Sequence, residues 1–428
     1  MTNLLIVMAD QLRQDIVQHA ADPFVRLPHL DRLRGEGVTL TECFSQYPIC
    51  CPSRASFVTG KYPHQLGMWN NGCRFPAEER DLGHHLAAHG YDTAAFGKTH
   101  AMAPGFRSTG YDIRATMGSD NHGYNLTPGR ETGVFEGDEE DYCDFVAVRQ
   151  FTDYLDGRNG RPFAAFLGIY APHPPLFPPR RFAEMYPPDT FELPAVPEWE
   201  AATKPAIQQV PRQRWSCLDE AAQRRVIATY LGMATLADEC VGRALAALGE
   251  RGLLEETLIV FTSDHGDELG EHGMIGKFHQ VYEGSLRVPL ILRLPGGTRA
   301  GAEHRQLVEM CDVFPTLCEL LGVPLPDAPH APAGISLVPA LAGERHRSCV
   351  HAMLEAAQMV RTREWKLVQH ADGAGELYYL AEDPREWVNR YDDPSCKEIR
   401  AELTEEMLSH LLRHPRGRFN AGGNGFFG

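Results

Sequence analysis

The segment Ile49-Cys50-Cys51-Pro52-Ser53-Arg54-Ala55-Ser56-Phe57-Val58-Thr59-Gly60 carries the strongest signal in the chain. It predicts a nucleophile presented at the start of a helix. Pro52 suits a first helical turn, because its missing N–H has no partner there anyway, and Gly60 suits a helix end. A group at Cys50 or Cys51 would lie near unpaired backbone N–H groups, where an anion is favoured. The alternative is a pair of buried structural cysteines beside a helix.

Outward from this segment, four apolar runs predict strands that end in polar residues. Runs without alternation are typical of strands buried on both faces of a parallel sheet, and helical patterns at 81–88, 142–155 and 220–250 lie between them. The sequence therefore predicts an α/β fold, with a mostly parallel central sheet, helices on both faces and a ligand site at the carboxyl edge. The runs are 3–9 before Asp10-Gln11, 91–96 before Gly97-Lys98-Thr99-His100, 163–170 before Ala171-Pro172-His173, and 257–261 before Thr262-Ser263-Asp264-His265-Gly266-Asp267.

The pattern changes after about residue 345. Short strands predicted at 350–354, 359–363, 366–370 and 376–380 form a smaller antiparallel sheet, and a helix is predicted at 396–412. We therefore expect a catalytic domain at 1–345, a C-terminal α+β subdomain at 346–415 and a flexible tail at 416–428. The proline- and aromatic-rich segment 172–211 is predicted to be a long ordered loop beside the site.

Composition limits the class of protein and its partners. With 43% hydrophobic and 23% charged residues, the 428-residue chain is of ordinary globular composition, and it has no apolar run of membrane-spanning length. The start lacks a basic leader, and eleven scattered cysteines suit a reducing compartment, so we expect a cytoplasmic protein. The formal charge of −16 argues against nucleic acid and anionic membrane as partners. A homo-oligomer is left open.

The cysteine segment carries a family resemblance. Cys50-x-Pro52-Ser53-Arg54, continued by Ala55-Ser56-Phe57-x-Thr59-Gly60 and by Tyr62-Pro63-His64, resembles the sulfatase signature. In that family the first cysteine is oxidised after translation to formylglycine, an aldehyde that acts as its hydrate. The resemblance places this residue at Cys50, with Cys51 in the variable position. It implies an alkaline phosphatase-like fold, a sulfuric ester hydrolase, and a formylglycine-generating enzyme as the maturation partner.

Four residues at two strand ends suit a divalent cation. Asp10, Gln11, Asp264 and His265 offer two carboxylates, an amide oxygen and an imidazole. An aspartate alone is more often a helix cap or turn residue than a ligand, but the pairing with the cysteine motif favours ligands here. The resemblance places metal ligands at these positions. Many sulfatases have Asp at the second position and Asn at the fourth, so Gln11 and His265 resemble more closely the phosphonate monoester hydrolases of the same superfamily. The metal stays open between Ca²⁺ and Mn²⁺.

The resemblance also implies cationic and proton-transferring groups around the nucleophile. Asn71 is a candidate for binding a substrate oxygen, with a turn residue as the alternative. The run 264–273 before Lys277 resembles the second sulfatase signature, and Asp267, Glu268, Glu271 and His272 within it are interpreted as structural or loop residues. The predicted catalytic residues are Cys50, Arg54, Lys98, His100, His173 and Lys277.

The mechanism implied by the resemblance uses both hydroxyls of the hydrated aldehyde. One hydroxyl attacks sulfur or phosphorus beside the metal and displaces the alcohol, giving a covalent sulfo-enzyme. Lysine and histidine neutralise the developing charge, and His173 or Lys277 protonates the leaving oxygen. The second hydroxyl, with His100 as a candidate base, then expels sulfate. A plain serine lacks this second hydroxyl.

Three functions follow from this interpretation. Hydrolysis of small anionic sulfate esters leads, and hydrolysis of phosphonate monoesters or phosphodiesters in the same site is the alternative that Gln11 and His265 favour. A non-catalytic anion-binding protein is expected if Cys50 stays unmodified. A cysteine phosphatase is excluded, because its loop needs five residues between cysteine and arginine, and Cys50 and Arg54 are too close.

Overall fold

The centre of the molecule is a mixed, mostly parallel sheet. The computed structural model describes residues 1–19, 24–99, 129–158, 160–277 and 280–415, with the backbone of 107–108. The hydrogen-bonded order is β4-β3-β5-β1-β6-β8-β2, and β7 and β9 both pair with β2. The strands are β1 (Asn3–Asp10), β2 (Val38–Phe44), β3 (Asp92–Gly97), β4 (Arg107–Ser108), β5 (Phe163–Pro172), β6 (Thr257–Ser263), β7 (Arg287–Val288), β8 (Leu290–Arg293) and β9 (Ala302–Glu309).

Helices cover both faces of this sheet. Along β1, Leu5 and Val7 join one apolar core, whereas Leu4 and Ile6 join another, because successive side chains of a strand point to opposite faces. The first core includes residues of α6 and α9, and the second includes residues of α3, α5 and α11. The helices are α1 (Gln14–Val17), α2 (Pro28–Glu36), α3 (Cys50–Thr59), α4 (Pro63–Leu66), α5 (Leu82–Ala88), α6 (Cys143–Asp156), α7 (Arg180–Ala183), α8 (Gln209–Ser216), α9 (Glu220–Glu250), α10 (Glu283–Leu286), α11 (Val313–Leu321), α12 (Val338–Leu341) and α13 (Lys397–Arg413).

A second, antiparallel sheet follows in the C-terminal part of the chain, and α13 packs against it. Its order is β10-β11-β12-β13, formed by β10 (Cys349–Leu354), β11 (Ala357–Thr362), β12 (Trp365–His370) and β13 (Gly375–Tyr379). The predicted fold class is confirmed in both of its parts. The domain boundaries stay predictions, and the tail at 416–428 lies outside the described residues.

Strands β2, β4 and β7–β9 were not predicted. Strand β7 has only two residues, and β9 begins with alternating exposure at the edge of the sheet, so neither gives the long apolar run that marks β1. Strands β7 and β8 pair antiparallel with their neighbours, which makes the sheet mixed rather than purely parallel. No helix within the described ranges is both long and apolar enough to cross a bilayer.

A buried polar network fastens the segment 172–211 to the C-terminal sheet. Glu376 on β13 accepts hydrogen bonds from the hydroxyls of Tyr378 (2.6 Å) and Tyr282 (2.7 Å). Lys204, from the segment, donates to the Tyr378 hydroxyl at 2.7 Å. Burial acts to raise the pKa of Glu376, but hydrogen bonds from His370 and the tyrosines, with the charge of Lys204, lower it to about 2. Glu376 therefore stays ionised inside the fold.

A Glu376→Gln variant is expected to lose about 3 kcal/mol of unfolding free energy at pH 7. A buried carboxyl whose pKa falls from 4.5 to about 2 on folding stabilises the fold by about that amount when ionised. Because the folded pKa is the lower one, this contribution is present above pH 4.5 and is lost as the pH falls toward 2.

Urea unfolding at two pH values tests this expectation. The difference between wild type and Glu376→Gln should shrink to about 1 kcal/mol at pH 3. Glu382→Gln is the control, because the Glu382 side chain is 68% exposed and its ion pair with Arg390 should contribute little at either pH. A difference for Glu376→Gln that does not change with pH would contradict the assignment.

Candidate active site

The site is built where β1 and β6 end. These strands are parallel neighbours with Ala9 opposite Ser263, so Asp10 and Asp264 leave the sheet side by side. Gln11 adopts a left-handed backbone conformation (φ 68°), which turns the chain out of the strand. Its backbone N–H donates to Asp264 Oδ1 at 3.1 Å, and this bond fastens the two strand ends together. Both carboxylates are fully buried.

Helix α3 brings the nucleophile to this edge. Cys50 is its first residue, and Gly60 ends the helix in the left-handed conformation (φ 67°), as predicted. A Cβ at residue 60 would lie 2.6 Å from Pro332 Cβ, so only glycine fits this turn. Ser53 donates its hydroxyl to the Asp264 carbonyl at 2.5 Å, which sets the helix against the end of β6.

The Cys50 sulfur lies at the centre of a charged and polar group. Its Sγ is 3.3 Å from His265 Nε2 and 3.3 Å from Lys277 Nζ. The same sulfur is 3.7 Å from Asp10 Oδ1 and 4.0 Å from Lys98 Nζ. Two ammonium groups and one imidazole therefore surround the position at which the sequence predicts the nucleophile.

Arg54 connects the two aspartates to the end of β3. It is fully buried, and its guanidinium donates to Asp264 Oδ2 (2.8 Å), to Asp10 Oδ2 (2.9 Å) and to the Lys98 carbonyl (2.8 Å). Burial and the neighbouring Cys50 act to raise the pKa of Asp10, but Lys98, His173 and Arg54 together hold it well below its usual range. Asp10 is therefore an anion in the folded protein.

Lys98 and His173 face the same carboxylate. Lys98 Nζ lies 2.5 Å from Asp10 Oδ2, and His173 Nε2 lies 3.7 Å from Asp10 Oδ1. A proton on His173 Nδ1 is donated to the Pro174 carbonyl at 2.5 Å, which leaves Nε2 facing the site. Burial, together with the charges of Lys277 and Lys98, lowers the pKa of His173 to about 3. The imidazole is neutral at physiological pH.

Gln11 is held from both ends of its amide. Its Oε1 accepts from Lys277 Nζ at 2.6 Å, and its Nε2 donates to Asp267 Oδ2. Asp267 Oδ1 in turn accepts from the backbone N–H groups of Leu269 (2.7 Å) and Gly276 (3.0 Å). Asp267 thus fixes which end of the Gln11 amide faces the site.

The donor set fits a divalent cation. Ligand atoms of Asp10, Cys50, Asp264 and His265 all lie within 4.8 Å of one another. Burial and the negative charge of Asp10 raise the pKa of Asp264, and a cation between the two carboxylates would relieve this repulsion. Carboxylates with one amide oxygen and one imidazole suit Ca²⁺ or Mn²⁺.

The structure brings together nearly all of the predicted site residues that it describes. Asn71 lies at the rim, where it is exposed and its Oδ1 accepts the Cys51 N–H at 3.0 Å, so its role in substrate binding stays a prediction. His100 lies outside the described residues. The residues brought together and buried are Asp10, Gln11, Cys50, Arg54, Lys98, His173, Asp264, His265 and Lys277.

Sequence reasoning missed one aromatic residue and undervalued one acid. Tyr170, near the end of β5, has Lys98 Nζ 4.8 Å from its ring centroid, and its hydroxyl lies 3.2 Å from His173 Nδ1. Its position near the end of a predicted strand, just before His173, could have identified it as a site residue. Asp267 was interpreted as a structural residue, but it directly positions Gln11.

A separate cavity of about 620 Å³ opens beside the segment 191–195. Residues 13–16 and Glu271 line one part of it, and Glu283 and Arg287 line another. None of the predicted catalytic or metal residues that the structure describes belongs to its lining. This cavity is therefore distinct from the group of described residues around Cys50.

The fold and the buried site define a hydrolase of the alkaline phosphatase superfamily. The Sulfatase family profile matches residues 2–323, and a profile described as N-sulphoglucosamine sulphohydrolase, C-terminal, matches residues 270–412. The chain belongs to the sulfatase family. The predictions of this family and of a sulfatase-type enzyme are thereby confirmed.

The chain is similar both to proteins described as sulfatases and to one described as a phosphonate monoester hydrolase. The multifunctional alkaline phosphatase superfamily protein PehA of Trinickia caryophylli is 30% identical, over 96% of this chain and 95% of its own length. Choline-sulfatase of Rhizobium meliloti (strain 1021) is 30% identical, over 94% of this chain and 85% of its own. The solved structure of the phosphonate monoester hydrolase SpPMH from Silicibacter pomeroyi superposes with a TM-score of 0.86 at 26% identity, covering 97% of this chain and 96% of that one.

Proposed function

We propose that the chain hydrolyses small sulfate esters to alcohol and sulfate, with formylglycine at residue 50 and one divalent metal ion. The observation that carries this proposal is the set of charged and polar side chains around the Cys50 sulfur. Its sulfur has two lysines and an imidazole within 4.0 Å, directly beside two buried carboxylates. Such a site accepts an anion at the nucleophile while the protein as a whole has a formal charge of −16.

Two additions complete the site: a bound metal ion and the conversion of Cys50 to formylglycine. Asp10, Gln11, Asp264 and His265 would hold the metal, which supplies positive charge for the anionic group of the substrate. Formylglycine, as its hydrate, supplies an oxygen nucleophile and a second hydroxyl for product release. Arg54, by bridging Asp10 and Asp264, keeps both carboxylates oriented for this task.

The chain's own cations act on the transferred group. The ammonium nitrogens of Lys98 and Lys277 lie 4.0 Å and 3.3 Å from the Cys50 sulfur. They are therefore placed to neutralise the negative charge that develops on the ester oxygens. His173 is neutral in the free site, because burial and the two lysines lower its pKa to about 3. A bound anion offsets the lysine charges and raises that pKa, so we expect His173 to donate a proton only while substrate is present. Lys277 is the other candidate donor.

Hydrolysis of phosphonate monoesters or phosphodiesters in the same site is the second candidate. Gln11 and His265 at the proposed metal favour it, because this pair resembles phosphonate monoester hydrolases. The similarity to the phosphonate monoester hydrolase SpPMH supports the same candidate. Both reactions need the same nucleophile and cations, so they differ in the ester that each favours.

Rates on matched aryl esters test the two candidates. The protein is produced with a formylglycine-generating enzyme, and mass spectrometry of the peptide 35–54 first establishes the aldehyde at residue 50. We expect a higher kcat/KM for 4-nitrophenyl sulfate than for a 4-nitrophenyl phosphonate monoester. The reverse order would select the second candidate. Binding of both anions without multiple turnover, in protein that carries the aldehyde, would overturn hydrolysis and favour an anion-binding protein.

We also propose that the protein works in the cytoplasm. All eleven cysteines lie in the described residues and none of them forms a disulfide, which supports a reducing compartment. Fractionation of the native host, followed by immunodetection of the chain, tests this location. Recovery from an oxidising compartment would contradict it.

A further inference from the structure

A second group of metal-ligating side chains lies far along the chain from the nucleophile, where α13 packs on the C-terminal sheet. Cys349 and His351 are two residues apart on β10, so both project from the same side of that strand. Glu406 reaches them from α13. One ligand atom from each of the three residues lies within 4.8 Å of the other two.

The imidazole of His351 is the unusual member of this group. Its side chain is more than nine-tenths buried, yet neither ring nitrogen has a hydrogen-bond partner among the described residues. Nε2 lies 3.7 Å from Glu406 Oε1, and Nδ1 lies 3.7 Å from Glu309 Oε1. Buried polar atoms are normally paired, since leaving one without a hydrogen-bond partner destabilises the fold. Two unpaired nitrogens on one buried ring therefore point to a missing partner.

We propose that Cys349, His351 and Glu406 form a second metal site, which binds Zn²⁺ and fastens the last helix to the C-terminal sheet. A thiolate, an imidazole and a carboxylate are the ligand types that zinc takes in proteins, and water completes four-coordination. The thiol proton of Cys349 passes to solvent when the metal binds.

The neighbouring carboxylate and arginine suit this arrangement. With Nε2 on the metal, the Nδ1 proton of His351 faces Glu309 Oε1, and metal-bound histidines commonly donate their other N–H to such a carboxylate. The Glu406 carboxylate is held by Arg413 at 2.5 Å. His410 stacks on His351 with ring centroids 3.7 Å apart, which limits rotation of the ligand ring.

The distances require only small side-chain movements. Three atoms within 4.8 Å of one another all lie at most about 2.8 Å from a common centre, whereas zinc bonds measure about 2.0–2.3 Å. Inward shifts of about 0.5–0.8 Å close the site. Rotation of Cys349 and Glu406, which are only partly buried, supplies such shifts without moving the backbone.

The neighbouring group Glu309, Cys311 and Asp312 does not compete for the ion. Arg347 already donates to Asp312 Oδ2 at 2.8 Å and lies 3.3 Å from Glu309 Oε2. A guanidinium therefore occupies the place of a cation between these two carboxylates. At the proposed site, the arginine contact among the described residues is the hydrogen bond from Arg413 to Glu406, which involves one ligand and does not bridge two of them.

Cobalt titration of full-length protein tests the proposal. A Cys50→Ala background removes the active-site thiol, so a thiolate-to-cobalt charge-transfer band must come from another cysteine. After treatment with chelator, we expect Co²⁺ to produce this near-ultraviolet band with an intensity, at saturation, of one thiolate–cobalt site per chain, while further Co²⁺ fills the site at Asp10 and Asp264, and we expect Zn²⁺ to abolish the band by displacement. Adding Cys349→Ser should remove the band completely. Adding Cys396→Ser, a buried cysteine near the same helix but outside the group, should leave it unchanged.

Measurements of folding and stability distinguish loss of the metal site from loss of the folded structure. Far-ultraviolet circular dichroism establishes that the Cys349→Ser protein retains its structure. Zn²⁺ should raise the unfolding midpoint of the Cys50→Ala protein by more than it raises that of the protein that also carries Cys349→Ser or His351→Gln, in which only the site at Asp10 and Asp264 remains. The absence of a thiolate band in the Cys50→Ala protein, or a band that survives Cys349→Ser, would overturn the proposal.

Discussion

A Cys50→Ser variant is expected to lose multiple turnover, with kcat reduced at least about 10³-fold, as is usual when an enzyme loses its nucleophile. Serine fits the same buried position at the start of α3, so binding of the anion should persist. Its single hydroxyl can attack the substrate once, but it has no second hydroxyl with which to release the product. Steady-state and burst kinetics on 4-nitrophenyl sulfate measure the two effects separately.

The adjacent cysteine provides a matched control. Cys51 packs with Ala55, Leu66 and Met68, and burial raises the pKa of its thiol to about 12, so it is a neutral packing residue. Cys51→Ser should keep both the aldehyde at residue 50 and a kcat within about threefold of wild type, because it removes only a packing contact. Equal losses from both variants, or multiple turnover by Cys50→Ser, would refute the assignment of the nucleophile.

An Arg54→Met variant is expected to lose about 3–5 kcal/mol of unfolding free energy in metal-free protein, because removing one partner of a buried ion pair leaves the other charge uncompensated. Here one guanidinium serves two carboxylates, Asp10 and Asp264, and all three side chains are fully buried. Methionine replaces the aliphatic volume and none of the three hydrogen bonds. Urea unfolding in the presence of a chelator measures the loss.

Two further measurements separate charge from packing. Addition of Mn²⁺ or Ca²⁺ should recover part of the lost stability, since a cation at Asp10 and Asp264 replaces the missing charge. Arg32→Met is the matched control, because Arg32 is 57% exposed and its pair with Glu36 should contribute only about 0.5 kcal/mol. A loss for Arg54→Met no larger than that of Arg32→Met would contradict the bridging role.

The sequence predicted the site residues that directly follow a long apolar strand. Strands β1 and β6 are continuous apolar runs, so their ends, with Asp10 and Asp264, could be placed at one edge of the sheet. The contact between Gln11 and Asp267 could not be predicted, because it depends on the left-handed turn at Gln11 and on the path of the loop after β6.

Arg54 was predicted as a site residue, but its hydrogen-bond partners could not be predicted from the sequence. Its sequence position places it one helical turn after Cys50, which suggests a role at the nucleophile. In the structure it instead reaches across to the ends of β1, β3 and β6. Short-range spacing gives the proximity of such a residue, whereas its partners depend on how strands distant in sequence are paired.

The network around Glu376 has a consequence for how this scaffold can be recombined. The segment 172–211 supplies Lys204, while the C-terminal sheet supplies Glu376 and Tyr378. A chimera that takes either part alone from a relative would lose the buried hydrogen bond from Lys204 to Tyr378 and the charge of Lys204 that helps to keep Glu376 ionised. The two parts therefore form one unit of exchange, and a library that reshapes the segment should carry the cognate C-terminal sheet with it.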